Sequence, residues 1–214
     1  MLALLLLICG LVLVLGFLLL PGESDATQRA PFWGVNHAHR GLYTKDQAIP
    51  ENSMAAFTAA VDAGYGIELD IQLSQDGEVV VFHDDTLARM CGVEKRVDAL
   101  PWAELQQLKL LDTDHGIPLL RDVLLMVDSQ VPLMIELKMG PRNKLLCEAA
   151  WRLLRQYDGE ICIESFDPRI VRWFRRHTPG LLRGQLSAPP TALGLSPATI
   201  LVGYGLSNFL CRPN

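Results

Sequence analysis

The chain has 214 residues, half of them hydrophobic, with 19 basic and 24 acidic side chains and a formal net charge of -5. That length accommodates one substantial domain with a sizeable core. The acidic balance excludes the broad basic footprint of a nucleic-acid-binding protein, but not an anionic substrate met by a few local cations.

Residues 1–20 are almost wholly apolar, and no charged side chain comes before Glu23. At about 1.5 Å of rise per residue, a helix of that length reaches across a hydrocarbon core. A secretory signal opens on a basic stretch and closes on a small-residue cleavage site. Here no Lys or Arg precedes the run, and Pro21-Gly22-Glu23-Ser24-Asp25-Ala26 holds no clear site of that kind. The expectation is an uncleaved single-pass membrane anchor at 1–20, with a cleaved signal as the alternative. A polar linker at 21–31 and one domain over 32–214 follow. Arg29 lies just past the apolar run with Glu23 and Asp25 closer, so the side of the membrane is left open.

Past the linker, short apolar runs alternate with longer helical periods. Residues 32–38 read as a first strand ending at His39. Asn52-Ser53 can cap a helix through Ala63, with Met54, Phe57, Ala60 and Val61 on one face and Gly64 as its stop. Residues 67–73 read as a second strand, Gln75-Asp76-Gly77 as a hairpin or tight turn, and 79–82 as a third strand ending at His83. A short helix opens at Pro101, and 118–127 offers another. Residues 133–137 form the fourth strand, 144–157 the clearest amphipathic helix, and 161–164 the fifth strand. Ser165-Phe166-Asp167-Pro168 then turns into a helix through His177. Residues 181–186 suggest a sixth strand, and 199–204 read equally as a helix end or a strand. Strands alternating with helices at crossover spacing indicate a parallel α/β architecture. A closed eight-stranded barrel typically takes ~250 residues. Six strands therefore imply either a smaller open α/β fold or a barrel cut short at Asn214. The five cysteines include no C-x-x-C pair, and buried free thiols are expected, Cys162 in a strand core among them.

Four clusters lie on or just after the strands: His39-Arg40-Gly41, Glu68-Leu69-Asp70, His83-Asp84 and Glu136-Leu137-Lys138. Glu68 and Asp70 are two apart on a strand and point to the same side. Burying two unpaired carboxylates is costly, and a hard divalent cation removes that cost; a solvated strand edge is the plainer alternative. Glu136 and Lys138 repeat the spacing on another strand. Alone they read as a salt bridge; with Glu68 and Asp70, Glu136 becomes a third oxygen ligand. His39 and His83 can move protons near neutral pH, and Asp84 can orient the ring of His83. His37, His115 and His177 read as structural or incidental. Arg40 and Lys138 can grip an anion. The set suits metal-assisted cleavage of a phosphate ester.

Taken with Pro50-Glu51-Asn52-Ser53 and Ser165-Phe166, these residues resemble the bacterial-type glycerophosphodiester phosphodiesterase family. The matching pattern runs A-H-R-G, P-E-N-S-x-x-A-F, G-I-E-L-D-I-Q-L-S-x-D-G, V-V-F-H-D-D-T-L-x-R, I-P-L-L, I-E-L-K and S-F, from Val35 to Phe166. The resemblance implies a TIM-type (β/α) barrel and a divalent cation, Mg2+ or Ca2+, held by Glu68, Asp70 and Glu136. It implies His39 and His83 as the acid/base pair, with Arg40 and Lys138 on the substrate phosphate. The implied reaction hydrolyses a glycerophosphodiester, lipid-derived where it is met at the membrane, to sn-glycerol 3-phosphate and an alcohol. Which histidine is the acid, and whether water or a glycerol hydroxyl attacks, stay open. Two departures stand out. The loop at 42–49 is longer and more polar than the family pattern. The family's last strands are missing, and 206–214 resemble the approach to a seventh strand. The expectation is a membrane-tethered, C-terminally truncated phosphodiesterase. The alternatives are a phospholipase acting on intact phospholipid and a non-catalytic tethered remnant.

Overall fold

The computed structural model describes residues 1–20, 22, 26–188 and 213. The elements expected at 199–204 and at the approach to a seventh strand lie outside the described residues, as does Cys211.

The N-terminal helix α1 (Leu2–Leu19) leaves apolar side chains exposed, among them Leu5, Leu7, Leu11, Leu13 and Phe17. Its 18 residues rise about 27 Å, against ~30 Å for a hydrocarbon core. Among the described residues no helix is long and apolar enough to cross a membrane, so the anchor expected at 1–20 gains no support from the structure. The linker is partly helical: α2 (Ala26–Arg29) runs into a 3-10 turn at Ala30–Phe32, where Pro31 suits a first helical turn. The first strand is consequently short. Phe32 closes that turn and Gly34 adopts φ +75°, both incompatible with extended backbone, so β1 covers only His37–His39.

The remaining strands are β2 (Gly66–Leu73), β3 (Val79–Val81), β4 (Leu133–Leu137), β5 (Ile161–Ser165) and β6 (Leu182–Gln185). The sheet order is β1-β2-β4-β5-β6 with every neighbouring pair parallel, a TIM-barrel-like α/β arrangement. β3 departs from the expected alternation. It folds back antiparallel on β2, with Ile71 opposite Val81, because the Asp76-Gly77 turn is far too short for a parallel crossover.

The helices that follow are α3 (Met54–Asp62), α4 (Ala88–Cys91), α5 (Trp102–Leu105), α6 (Leu120–Val127), α7 (Asn143–Leu154) and α8 (Pro168–His177). The Ser53 hydroxyl starts α3, accepting from the Ala56 N–H at 3.1 Å while donating to the Pro50 carbonyl at 2.6 Å. Gly64 ends it at φ +70°. Phe57 and Ala60 of α3, Val123 and Val127 of α6, and Leu146 and Ala150 of α7 are buried with Ile67, Leu69 and Ile71 in the main core. Strand alternation therefore turns Glu68, Asp70 and Gln72 to the opposite face of β2. Residues 79–119 form an excursion with its own small core of Val80, Phe82, Leu87, Met90, Val97 and Leu105. The cysteines among the described residues are free; Cys147 and Cys162 are buried as expected, whereas Cys91 is half-buried and Cys9 exposed.

Candidate active site

The parallel register aligns the acidic side chains in rows. His39 is opposite Glu68, Asp70 is opposite Glu136, and Glu136 is opposite Glu164. Glu68, Asp70 and Glu136 are all buried, and one ligand atom from each lies within 4.8 Å of the others. Burial, with Asp70 alongside, pushes Glu68 up to about 8. Burial also raises Glu136, although Lys138 acts against it. Glu164, 8% exposed, is pushed up to about 7 by burial and by the charges of Glu136 and Asp70. The raised values follow from burying several carboxyl groups side by side. Their donors are oxygen only, which fits a hard divalent cation.

Two cations border the cluster. Lys138 follows β4 directly, and its Nζ lies 2.8 Å from Glu136 Oε1 and 3.3 Å from Asp70 Oδ1. Burial opposes its charge, but Asp70 and Glu136 outweigh that and raise its pKa. Arg40 follows β1 with φ +58°, a left-handed backbone that non-glycine residues seldom adopt and that concentrates at functional sites. In this pose its N–H donates to Glu68 Oε2 at 2.9 Å, and its Nη1 donates to Glu51 Oε1 at 2.8 Å. Its buried Nε has no hydrogen-bond partner, with Asp70 Oδ2 the near charge at 3.6 Å. Gly41, at φ +80°, lets the chain pass over the start of α3, where a Cβ would sit 2.8 Å from that of Ala56.

The histidines lie at or just past the ends of two strands that pair with β2. His39 Nε2 lies 3.9 Å from Glu68 Oε2, and partial burial followed by Arg40 lowers its pKa. His83 follows β3, and its Nδ1 is 2.6 Å from Asp84 Oδ1, the orienting contact expected from the pair. A shallow depression beside Lys138 is lined by Gln72, Asp85, Arg96, Asp98 and Arg142. His37 is structural, stacked on Phe32 with Nδ1 against the Val35 carbonyl. The polar loop at 42–49 closes on itself through Thr44 and Ile49.

Residues 39–196 match the family described as the Glycerophosphoryl diester phosphodiesterase family. The chain belongs to that family. A glycerophosphodiester phosphodiesterase of Caldanaerobacter subterraneus is 32% identical over 168 residues, covering 70% of this chain and 65% of that protein. Lysophospholipase D GDPD1 of Rattus norvegicus is 33% identical over 166 residues, covering 71% of this chain and 51% of that protein. An Oleispira antarctica phosphodiesterase solved with the product sn-glycerol-3-phosphate superposes with a TM-score of 0.67 at 30% identity, covering 76% of this chain and 70% of that one. The chain thus spans 51% to 65% of the length of these curated relatives.

Within this glycerophosphoryl diester phosphodiesterase domain, the structure places Glu68 and Asp70 inside β2, Glu136 inside β4, and His39, Arg40, His83 and Lys138 at or just past the ends of β1, β3 and β4. It adds four groups that no sequence signal tied to the site. Asn52, at φ +53°, donates from Nδ2 to Asp70 Oδ2 at 2.8 Å. Gln72 donates from Nε2 to the Phe82 and Asp84 carbonyls at 2.8 and 2.9 Å, tying the His83 loop to β2. Glu51 and Glu164 are the other two. Glu51 and Asn52 were visible within P-E-N-S, and Glu164 as an acid ending the apolar run Ile161-Cys162-Ile163.

Proposed function

We propose that this chain is a metal-dependent phosphodiesterase that hydrolyses glycerophosphodiesters to sn-glycerol 3-phosphate and an alcohol. The observation that carries the reading is the convergence of three buried carboxylates within 4.8 Å of one another, bordered by two cations and two histidines at strand ends. Glu68, Asp70 and Glu136 would hold the divalent cation, which when bound offsets charge on the phosphate oxygens. Arg40 presents a planar fork to those oxygens and Lys138 a compact charge. His39 and His83 serve as the general acid/base pair, one deprotonating the nucleophile, either water or a glycerol hydroxyl whose cyclic phosphate water then opens, and the other protonating the leaving alkoxide. Family membership and the similarity to a phosphodiesterase solved with sn-glycerol-3-phosphate support the product assignment.

The test is phosphorus NMR of the full chain in detergent with glycerophosphocholine, under Mg2+, under Ca2+ and with chelator. A glycerol 3-phosphate signal that chelator abolishes is the expected result. No product under either cation would reject the reading in favour of a non-catalytic domain. A second reading, cleavage of a lysophospholipid, is favoured by the 33% identity to a rat protein named lysophospholipase D. A lysophosphatidylcholine arm of the same assay separates the two.

Membrane attachment through residues 1–20 belongs to this proposal as well. It rests on the apolar character of that segment and the exposure of its side chains. Fractionation checks it: the full chain should pellet with membranes, resist high salt and be released by detergent. Release by salt alone would remove the attachment.

A further inference from the structure

One side chain outside the catalytic set joins both halves of the site. Arg89, on α4 within the 79–119 excursion, donates from Nε to Asp84 Oδ2 at 2.6 Å and from Nη2 to Asp84 Oδ1 at 3.0 Å. The same Nη2 reaches Glu51 Oε1 at 2.7 Å. Asp84 Oδ1 is in turn 2.6 Å from His83 Nδ1, and Glu51 Oε1 also accepts from Arg40 Nη1. A single guanidinium therefore ties the carboxylate beside His83 to the carboxylate that holds Arg40. These anchors come from separate parts of the fold, since Glu51 precedes α3 whereas His83 and Asp84 follow β3.

Both carboxylates depend on that guanidinium. Burial works to raise Glu51, but Arg89 and Arg40 outweigh it and hold the group below the usual range. Arg89 is the leading cause that draws Asp84 down to about 2. An isolated exposed ion pair contributes little, and its loss would pass unnoticed. Here three charge-assisted bonds converge, and two of the partners hold site residues in place. A planar fork with several fixed donors serves two carboxylates at once, which a lysine ammonium cannot do with the same geometry.

We propose that Arg89 is a positioning residue: by bridging Asp84 and Glu51 it sets His83 and Arg40 relative to each other across the junction of the 79–119 excursion and the main sheet. The bridge fixes Nδ1 of His83 toward Asp84, which leaves Nε2 to face the substrate and makes Nδ1–H the form of the neutral ring. The kinetic part of this inference rests on the phosphodiesterase reading; the ring state of His83 does not.

The experiment compares the full chain in detergent with Arg89→Gln, Arg89→Lys, Asp84→Asn and Glu51→Gln. Nitrogen-15 NMR of the histidine rings, with His83 identified by its loss in His83→Asn, should show one Nδ1–H tautomer in the parent and a mixture in Arg89→Gln. In turnover, Arg89→Gln should lose about 100-fold in kcat/KM, split between a lower kcat and a higher KM. Asp84→Asn should reproduce mainly the kcat part and Glu51→Gln mainly the KM part, while Arg89→Lys restores at most one. An unchanged His83 ring in Arg89→Gln, or a kcat loss that only tracks a smaller folded fraction, overturns the proposal. If the parent turns over no phosphodiester, the functional reading fails, and the tautomer result alone decides whether Arg89 orders His83.

Discussion

At the scale of single residues, the site is a crowd of like charges held in place by a few directed bonds. Glu136 is both a candidate ligand and the closer partner of Lys138. Glu136→Gln keeps the shape and removes the charge, so it should lower metal-dependent turnover by at least about 100-fold, a few kcal/mol of lost electrostatic stabilisation. The fold should survive, because Asn52 and Lys138 still hold Asp70. Parent rates in this variant would remove Glu136 from the metal site. His83→Ala should slow turnover by about 100-fold or more and leave cation affinity, read by calorimetric titration, nearly intact. A steep fall in affinity would make His83 a ligand. The named acids and bases were legible in the sequence because strand alternation is a local rule: two residues apart means one face. What Glu51 and Gln72 bind was not, because their partners come from other segments of the chain and no local rule pairs them. Arg40, Arg89 and the carbonyls of Phe82 and Asp84 meet them only in the folded chain.

At the scale of elements, the turn from β1 into α3 sets the accuracy of the site. Ser53→Ala removes a buried cap and a bond to Pro50, and should cost about 1–2 kcal/mol. Gly41→Ala combines an unfavourable φ of +80° with a Cβ 2.8 Å from that of Ala56, and neither neighbour is a flexible side-chain end. Its cost should be larger, about 2–3 kcal/mol. Urea unfolding of the two variants checks the order; equal midpoints would mean the backbone relaxes around Gly41 and the close approach is not needed. Helix limits followed from the sequence to within a few residues, since caps, glycine stops and apolar period are local. The first strand was overestimated because the apolar residues 32–36 serve a 3-10 turn and a left-handed glycine instead. The third strand was placed correctly, and the hairpin signal at Asp76-Gly77 already pointed to its partner, because so tight a turn dictates an antiparallel return and not a barrel rung.

At the scale of the whole molecule, the balance of charge couples stability to pH and cation. Burial among like charges pushes Glu68 up to about 8 and Glu164 up to about 7, against an ordinary 4.5 for each. Between these limits the folded state binds more protons than the unfolded chain, so stability falls as pH rises through the window. The loss is on the order of a few kcal/mol. A divalent cation replaces those protons, so its stabilising effect should be larger at about pH 8.5 than at about pH 6. Thermal unfolding with chelator and with added Mg2+ or Ca2+ checks this; equal shifts at both values would separate cation binding from the carboxyl cluster.

Sequence by itself determined the α/β class, the apolar first segment, the faces of β2 and β4 that carry acids, and the family to which the chain belongs. All of these follow from composition, two-residue alternation and short motifs, which need only neighbours along the chain. The tertiary structure decided which of those groups meet. Lys138 reaches Asp70 across 68 residues and Arg89 reaches Glu51 across 38. Register between parallel strands, fixed by packing of the helices on the other face, brings Asp70, Glu136 and Glu164 into one row. That is a property of the sheet, and no single segment contains it.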